Sequence, residues 1–265
     1  MLKTELQRGL RPGRWIPVLA ASLFTILLSV QDGWKVLYIG LRGNSWYQGG
    51  SVNYLLDALR IDKYKLVFLI LLTSIHTGSY CQDEKTRFLR LLLGRCSLEN
   101  YVFHRFFANF VLILATTELV LVLYALVYRI CGYPMINPLF MDNSDFYYSI
   151  EAGHPFVFLL MIGLVLGMQA AACSSIGLLF SAYQPNLLVS VGLCGVVYFL
   201  ALSCIPSGIF SVMGITCMDC VLPSGTDTPC WLMFMWSMLY PGMICAVCCL
   251  LFYRKMRDRR ENGEL

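Results

Sequence analysis

The chain has 265 residues, of which 58% are hydrophobic and 14% charged. A soluble domain carries roughly a quarter charged residues, so a chain with water on every side is excluded. The net charge of +4 is small, and no nucleic-acid partner is expected. The apolar residues arrive in long blocks. Backbone in lipid must pair its own N–H and C=O groups, so the blocks read as helices rather than as barrel strands, which alternate over roughly ten residues.

In chain order, residues 1–14 come first. Leu2, Leu6 and Leu10 recur every four residues, with Lys3, Arg8 and Arg11 elsewhere on the wheel. That pattern fits a short amphipathic helix at a membrane surface, ended by Pro12-Gly13; an ordinary basic flank fits equally well. A first span follows over about Trp15–Val30. It lacks a small-residue cleavage site before Asp32 and is read as retained. Residues 51–62 can form a surface helix. Further spans are expected at about Tyr64–Tyr80, Phe106–Tyr128, Pro155–Phe180, Leu187–Ile205 and Cys230–Tyr253.

The expected fold is therefore an all-α polytopic membrane protein with six transmembrane helices, forming a single transmembrane domain over 1–265. Basic residues set its orientation. Lys3, Arg8, Arg11 and Arg14 fall on one side with Lys85, Arg87, Arg90, Arg95 and Arg105. The basic tail 254–265 joins them, whereas the loops 131–154 and 206–229 carry no Lys or Arg. Both termini and the 81–105 loop are thus expected in the cytoplasm, with the chain multi-pass in the cell membrane.

The 81–105 loop alternates charge with large apolar residues. Asp83, Glu84, Arg87 and Arg90 stand against Phe88, Leu89, Leu91, Leu92 and Leu93. A solvated connector has no use for five large apolar residues in six positions. An amphipathic helix lying on the membrane or in a protein groove does, as does an extension of the second span that packs on its neighbours.

This loop resembles the first cytoplasmic loop of ABC-2-type transporter permeases, the membrane-spanning subunits of bacterial ABC exporters. In that family an acidic residue after the second span leads into a short helix. A basic residue, a serine and a Tyr-x-x-x-Lys/Arg step into the third span follow. Here Asp83-Glu84, Phe88-Leu89-Arg90, Arg95-Cys96-Ser97 and Tyr101 with Arg105 occupy those places. The basic N-terminal helix resembles the family's elbow helix. Arg87-Phe88 stands where many members carry Gly-Thr, a Pro near Arg95-Cys96 is missing, and Arg105 replaces the commoner Lys.

The resemblance implies that the loop, through Asp83, Glu84, Arg87, Phe88, Leu89, Arg90, Leu92 and Arg95, docks on a separate ABC ATP-binding subunit. It also implies a second permease subunit, in a homo- or heterodimer, and export as the direction. The chain has no GxxxxGK[ST] phosphate loop, so ATP and Mg are expected on the partner, with no cofactor bound by this chain. It is not expected to be an enzyme by itself.

Within the spans, Glu118 is a central acid that must face protein or water. It reads either as an interhelix contact to Gln169 or as a polar point on a translocation path. Gly163, Gly167, Ala171 and Ser175 are spaced by four, a smooth stripe for close helix packing, within the chain, at a dimer seam or along a translocation path. Pro241 is expected to kink the last span and to free the Ser237 carbonyl. Cys217, Cys220 and Cys230 form a disulfide or stay free, and no metal is assigned, for want of a fourth ligand. His76, His104 and His154 lie apart and read as structural. The alternatives to a permease are an intramembrane enzyme, which needs more than one deep ionisable residue, and a non-transporting membrane scaffold or accessory protein.

Overall fold

The computed structural model describes residues 2–29, 50–52, 54–55, 62–86, 88–94, 96–135, 154–204 and 230–263. Among them the regular structure is entirely helical. The helices are α1 (Leu2–Gly9), α2 (Pro12–Ser29), α3 (Asp62–Ser74), α4 (Ser79–Lys85) and α5 (Phe88–Leu93), then α6 (Leu98–Ile130), α7 (Pro155–Tyr183), α8 (Leu187–Cys204) and α9 (Cys230–Glu261).

Among the described residues, three helices are long and apolar enough to cross a membrane: α6, α7 and the Ser237–Glu261 part of α9. They mark the chain as a membrane protein, since about 20 apolar residues cover the hydrocarbon core. Two shorter apolar stretches, Pro12–Leu28 and Leu187–Tyr198, lie in α2 and α8.

The helix α7 is central. It packs against α9, α6, α8, α3 and α4, and 67% of its apolar window is buried within the chain, against 22% for α9. Its lack of bulk is the cause. A Cβ at Gly167 would lie 2.7 Å from Leu114 Cδ2 and 3.5 Å from Thr117 Oγ1 on α6. A Cβ at Gly163 would lie 2.5 Å from Glu118 Oε2. A Cβ at Gly177 would meet the Ser190 carbonyl oxygen at 2.5 Å and Cys194 Sγ at 2.7 Å, both on α8. Ser175 Oγ donates to the Ala171 carbonyl at 2.8 Å and lies 3.4 Å from Cys245 Sγ on α9. The stripe Gly163–Gly167–Ala171–Ser175 is thus used within the chain, where removed side chains let backbones approach.

The segment expected as the second span is not a single continuous helix. It stops at Ser74, turns through residues 75–78 and restarts as α4. Hydroxyl groups cover the carbonyls at the break: Thr73 donates to Ile70 at 2.9 Å, Ser74 to Leu71 at 2.6 Å and Thr77 to Thr73 at 2.5 Å. Such cover is what lets a helix break inside an apolar setting. Thr77 also meets Ser174 Oγ at 2.7 Å, and Ser174 donates to Asn109 Oδ1 at 2.8 Å.

At the far end of α6, Tyr124, Tyr128, Tyr133 and Tyr54 pack ring on ring, with Tyr124 and Tyr128 centroids 4.7 Å apart. The backbone N–H groups of Ser51 and Val52 donate to Pro134 and Met135 at 3.0 Å, and Val52 and Leu55 are fully buried. The part of the expected 51–62 surface helix that is described therefore lies in the core. Its remainder is outside the described residues, as are Cys217 and Cys220. Cys230 opens α9, and α9 continues through Pro241. Ser237, four residues earlier, donates to the Phe234 carbonyl at 2.8 Å.

The close approach of α6 and α7 makes Gly167 intolerant of bulk. Gly167→Val overpacks the seam and costs about 1–3 kcal/mol. A thermal melt of the purified chain in detergent checks this, with Gly13→Ala, where a Cβ meets open space, leaving the midpoint unchanged.

Candidate functional site

The site begins with α1. Its inward face is Glu5 and Gly9, both buried, whereas Leu10 is 47% exposed. The leucine stripe therefore does not face the core. Gly9 lets α1 lie against the Leu112 side chain of α6. This close contact carries Glu5 and Arg8 to the turn between α3 and α4.

There the chain buries a carboxylate between two guanidinium groups. Asp83, on α4, is fully buried. It accepts two hydrogen bonds from Arg8 on α1, from Nη1 at 2.9 Å and from Nη2. Arg105 Nη2, on α6, lies 2.9 Å from Asp83 Oδ2, and Arg105 is also fully buried. Arg105 Nε donates to Ser79 Oγ at 3.3 Å, and its Nη1 donates to the Tyr101 hydroxyl oxygen. Its guanidinium sits 5.1 Å from the Tyr101 ring centroid and 5.7 Å from that of Tyr80. A planar, permanently charged fork suits this place, because it bonds in its plane and stacks on rings through its faces.

Glu5 supplies the second acid. Its Oε2 lies 3.3 Å from His76 Nε2, and its Oε1 lies 3.7 Å from Arg8 Nη1. Glu5, Asp83, Arg8 and Arg105 thus make a neutral set of two acids and two bases. Neutrality matters because an uncompensated ion here would carry a desolvation cost of several kcal/mol. Burial alone would raise the Glu5 carboxyl. The adjacent His76 imidazole and the charges of Arg105 and Arg8 outweigh it and hold the group at about 2. The hydrogen bonds from Arg8 to Asp83 push the Arg8 guanidinium further up.

A second link reaches α9. Arg259 donates to Glu84 Oε1 at 2.6 Å and to the Tyr80 hydroxyl at 2.7 Å. Tyr80 in turn donates to Met256 Sδ at 3.3 Å. Beneath these bonds lies a local apolar core of Tyr80, Leu89, Leu98, Tyr101, Phe106 and Phe252, among others. Tyr80 and Phe106 both meet Phe252 edge to face, at 5.4 and 5.5 Å.

The loop residues expected to meet a partner therefore divide. Asp83 is turned wholly inward, Glu84 is tied to Arg259, and Leu89 is buried at 2% exposure. Leu92 is half-buried, and Phe88 is 44% exposed with Arg8 stacked 5.9 Å from its centroid. Arg90 lies in α5; Arg87 and Arg95 lie outside the described residues. Ser97 caps α6, accepting from the Asn100 N–H at 3.4 Å.

Tyr101 and Arg105, four residues apart, share one face of α6 and converge on Asp83. Glu5, Arg8, His76 and Arg259 are cluster members that sequence reasoning did not connect with it. The Glu5–Arg8 spacing of three was the only local signal.

Glu118 does not reach Gln169. Both of its carboxyl oxygens lack a hydrogen-bond partner among the described residues, as does Gln169 Oε1. Glu118 instead lies against Gly163. Among the described residues no group of His, Cys, Asp and Glu is placed to hold a metal ion. No family model, curated protein or solved structure matches the chain.

Removing one partner of a buried ion pair strands the other. Asp83→Ala is expected to cost roughly 3–5 kcal/mol, read as a lowered melting temperature in detergent. Arg257→Ala breaks only the exposed Arg257–Glu261 pair and leaves the melting temperature unchanged.

The Glu5 shift fixes a pH dependence. Its folded value of about 2 lies below the ordinary 4.5. The ionised form therefore stabilises the fold fully above about 4.5, and that contribution is lost as pH falls towards 2. Melting temperature is expected to drop over this window, and Glu5→Gln flattens the drop. An equal slope in both proteins would refute the assignment.

Proposed function

We propose that the chain is the membrane-spanning permease subunit of an ATP-driven ABC exporter of the ABC-2 type. A separate ATP-binding subunit docks on the 81–105 segment, and a second permease subunit completes the path. In this reading α2, α3 with the turn that follows it, α6, α7, α8 and α9 make six crossings. Both termini, α1 and the α4–α5 pair then lie in the cytoplasm, and the membrane is the plasma membrane. ATP and Mg act on the partner.

One observation supports the reading above the others. The α4 helix is tied by charges to α1, α6 and α9 at once, with the Asp83–Arg105 pair fully buried, while Phe88 on α5 points outward. A loop that only connected two helices would not justify burying Asp83 and Arg105, which contribute little stability over well-packed apolar residues. A loop that must receive a push and pass it to several helices needs such rigid ties. An outward aromatic is also a common anchor at protein interfaces. An intramembrane enzyme finds no support of this kind, since Glu118 is the only acid set deep in a span and no second catalytic group is seen beside it among the described residues.

The reading is tested by purifying the chain from its native membrane and identifying any phosphate-loop ATPase that accompanies it. Phe88→Ala is expected to weaken that association by about thirtyfold, the effect of losing roughly 2 kcal/mol at an aromatic anchor, without lowering the melting temperature. Absence of any ATPase from the wild-type preparation would overturn the proposal.

A further inference from the structure

A cleft between α1 and α5 lies beside the charge cluster and shares Glu5 and Arg8 with it. It has a volume of about 450 Å³, within the roughly 300–1,000 Å³ typical of small-molecule sites. Its lining is divided. Arg8, Arg11, Thr4 and Gln7 come from the N-terminal segment, and Phe88 and Leu92 come from α5. We propose that this cleft binds an acidic phospholipid, with the phosphate on the arginine side and the first part of an acyl chain against Phe88 and Leu92.

Charge favours an anion. Glu5 also lines the cleft, but its carboxyl is turned towards His76 and is almost wholly buried. Arg11 is exposed, and its side chain has no ion pair or hydrogen bond among the described residues. Arg8 gives one N–H of each Nη to Asp83, which leaves the second N–H of each and Nε outside those two bonds. Thr4 and Gln7 add neutral polar groups able to bond phosphodiester oxygens.

Position favours a lipid over a soluble anion. Arg11 directly precedes α2, whose apolar stretch begins at Pro12, so the cleft lies beside the start of an apolar helix. A small hydrated anion leaves the exposed Phe88 ring in water. A lipid covers the ring and places its charge beside arginines that are already at the interface, where each basic residue adds about 1 kcal/mol of attraction, or fivefold. The site needs only a membrane location, but it shares Phe88 with the surface proposed for the ATP-binding subunit, so lipid and subunit compete for that ring.

The test uses the full chain in mild detergent with three probes: short-chain phosphatidylglycerol, short-chain phosphatidylcholine and inorganic phosphate. Retention is read by native mass spectrometry and stabilisation by melting temperature. The glycerol lipid is expected to bind at least about fivefold tighter than the choline lipid. Arg11→Gln abolishes this preference and leaves the lipid-free melting temperature unchanged. Arg11→Lys retains it, and so does Arg254→Gln in the C-terminal basic cluster. Equal retention of the two lipids, or a preference that survives Arg11→Gln, overturns the proposal. Inorganic phosphate matching the glycerol lipid in stabilisation overturns it too, in favour of a soluble-anion site. A cleft that is filled only when an ATP-binding subunit is present, with no lipid preference in the chain alone, does the same in favour of a protein occupant.

Discussion

The arrangement depends on one buried carboxylate. Asp83 has no exposure and two guanidinium partners, each carried by a different helix. A buried charge tolerates few alternatives, because a lost partner leaves an ion without solvent. The positions of α1, α4 and α6 are therefore specified together. Glu5 makes the set neutral, and Arg259, through Glu84 and Tyr80, brings α9 to the same place. The apolar contacts around Phe252 then fill the space beneath. Hydrophobic packing alone would leave α1 free to slide along α6; paired charges with defined hydrogen-bond geometry do not.

The rest of the bundle is organised by missing bulk. The small residues of α7 let α6, α8 and α9 approach it closely on different sides. Between apolar helices in lipid, shape is what discriminates, since the tails are as apolar as the side chains. The break after Ser74 belongs to the same scheme. It redirects the chain from α3 into α4, and so turns Asp83 inward while Phe88 emerges on the outer side. Threonine and serine hydroxyls supply the hydrogen bonds that the interrupted helix gives up.

These two features give a functional site an unusual form. The polar residues sit at one end of the bundle, where they join elements, and they are almost entirely consumed by one another. What faces outward is an aromatic ring, a half-buried leucine and an arginine beside a cleft. Phe88, Leu92 and Arg11 thus share one surface, apolar on one side and basic on the other.

The sequence by itself determined that the chain is helical and membrane-embedded, because long apolar blocks and few charges allow little else. It also marked the loop around Asp83, through its alternation of charge and apolar bulk, and the Tyr101–Arg105 pair, through its resemblance to the permease Tyr-x-x-x-Lys/Arg step. The small-residue stripe was legible as a packing surface, but not which helices it would meet. Only the tertiary structure decided that Asp83 and Leu89 point inward, that α1 buries Glu5 and Gly9 in place of its leucines, and that Glu118 misses Gln169. The reason is physical. Asp83 meets Arg8 across 75 positions and Glu84 meets Arg259 across 175; periodicity reports which face a residue occupies, whereas pairing over such distances depends on where a second helix comes to rest.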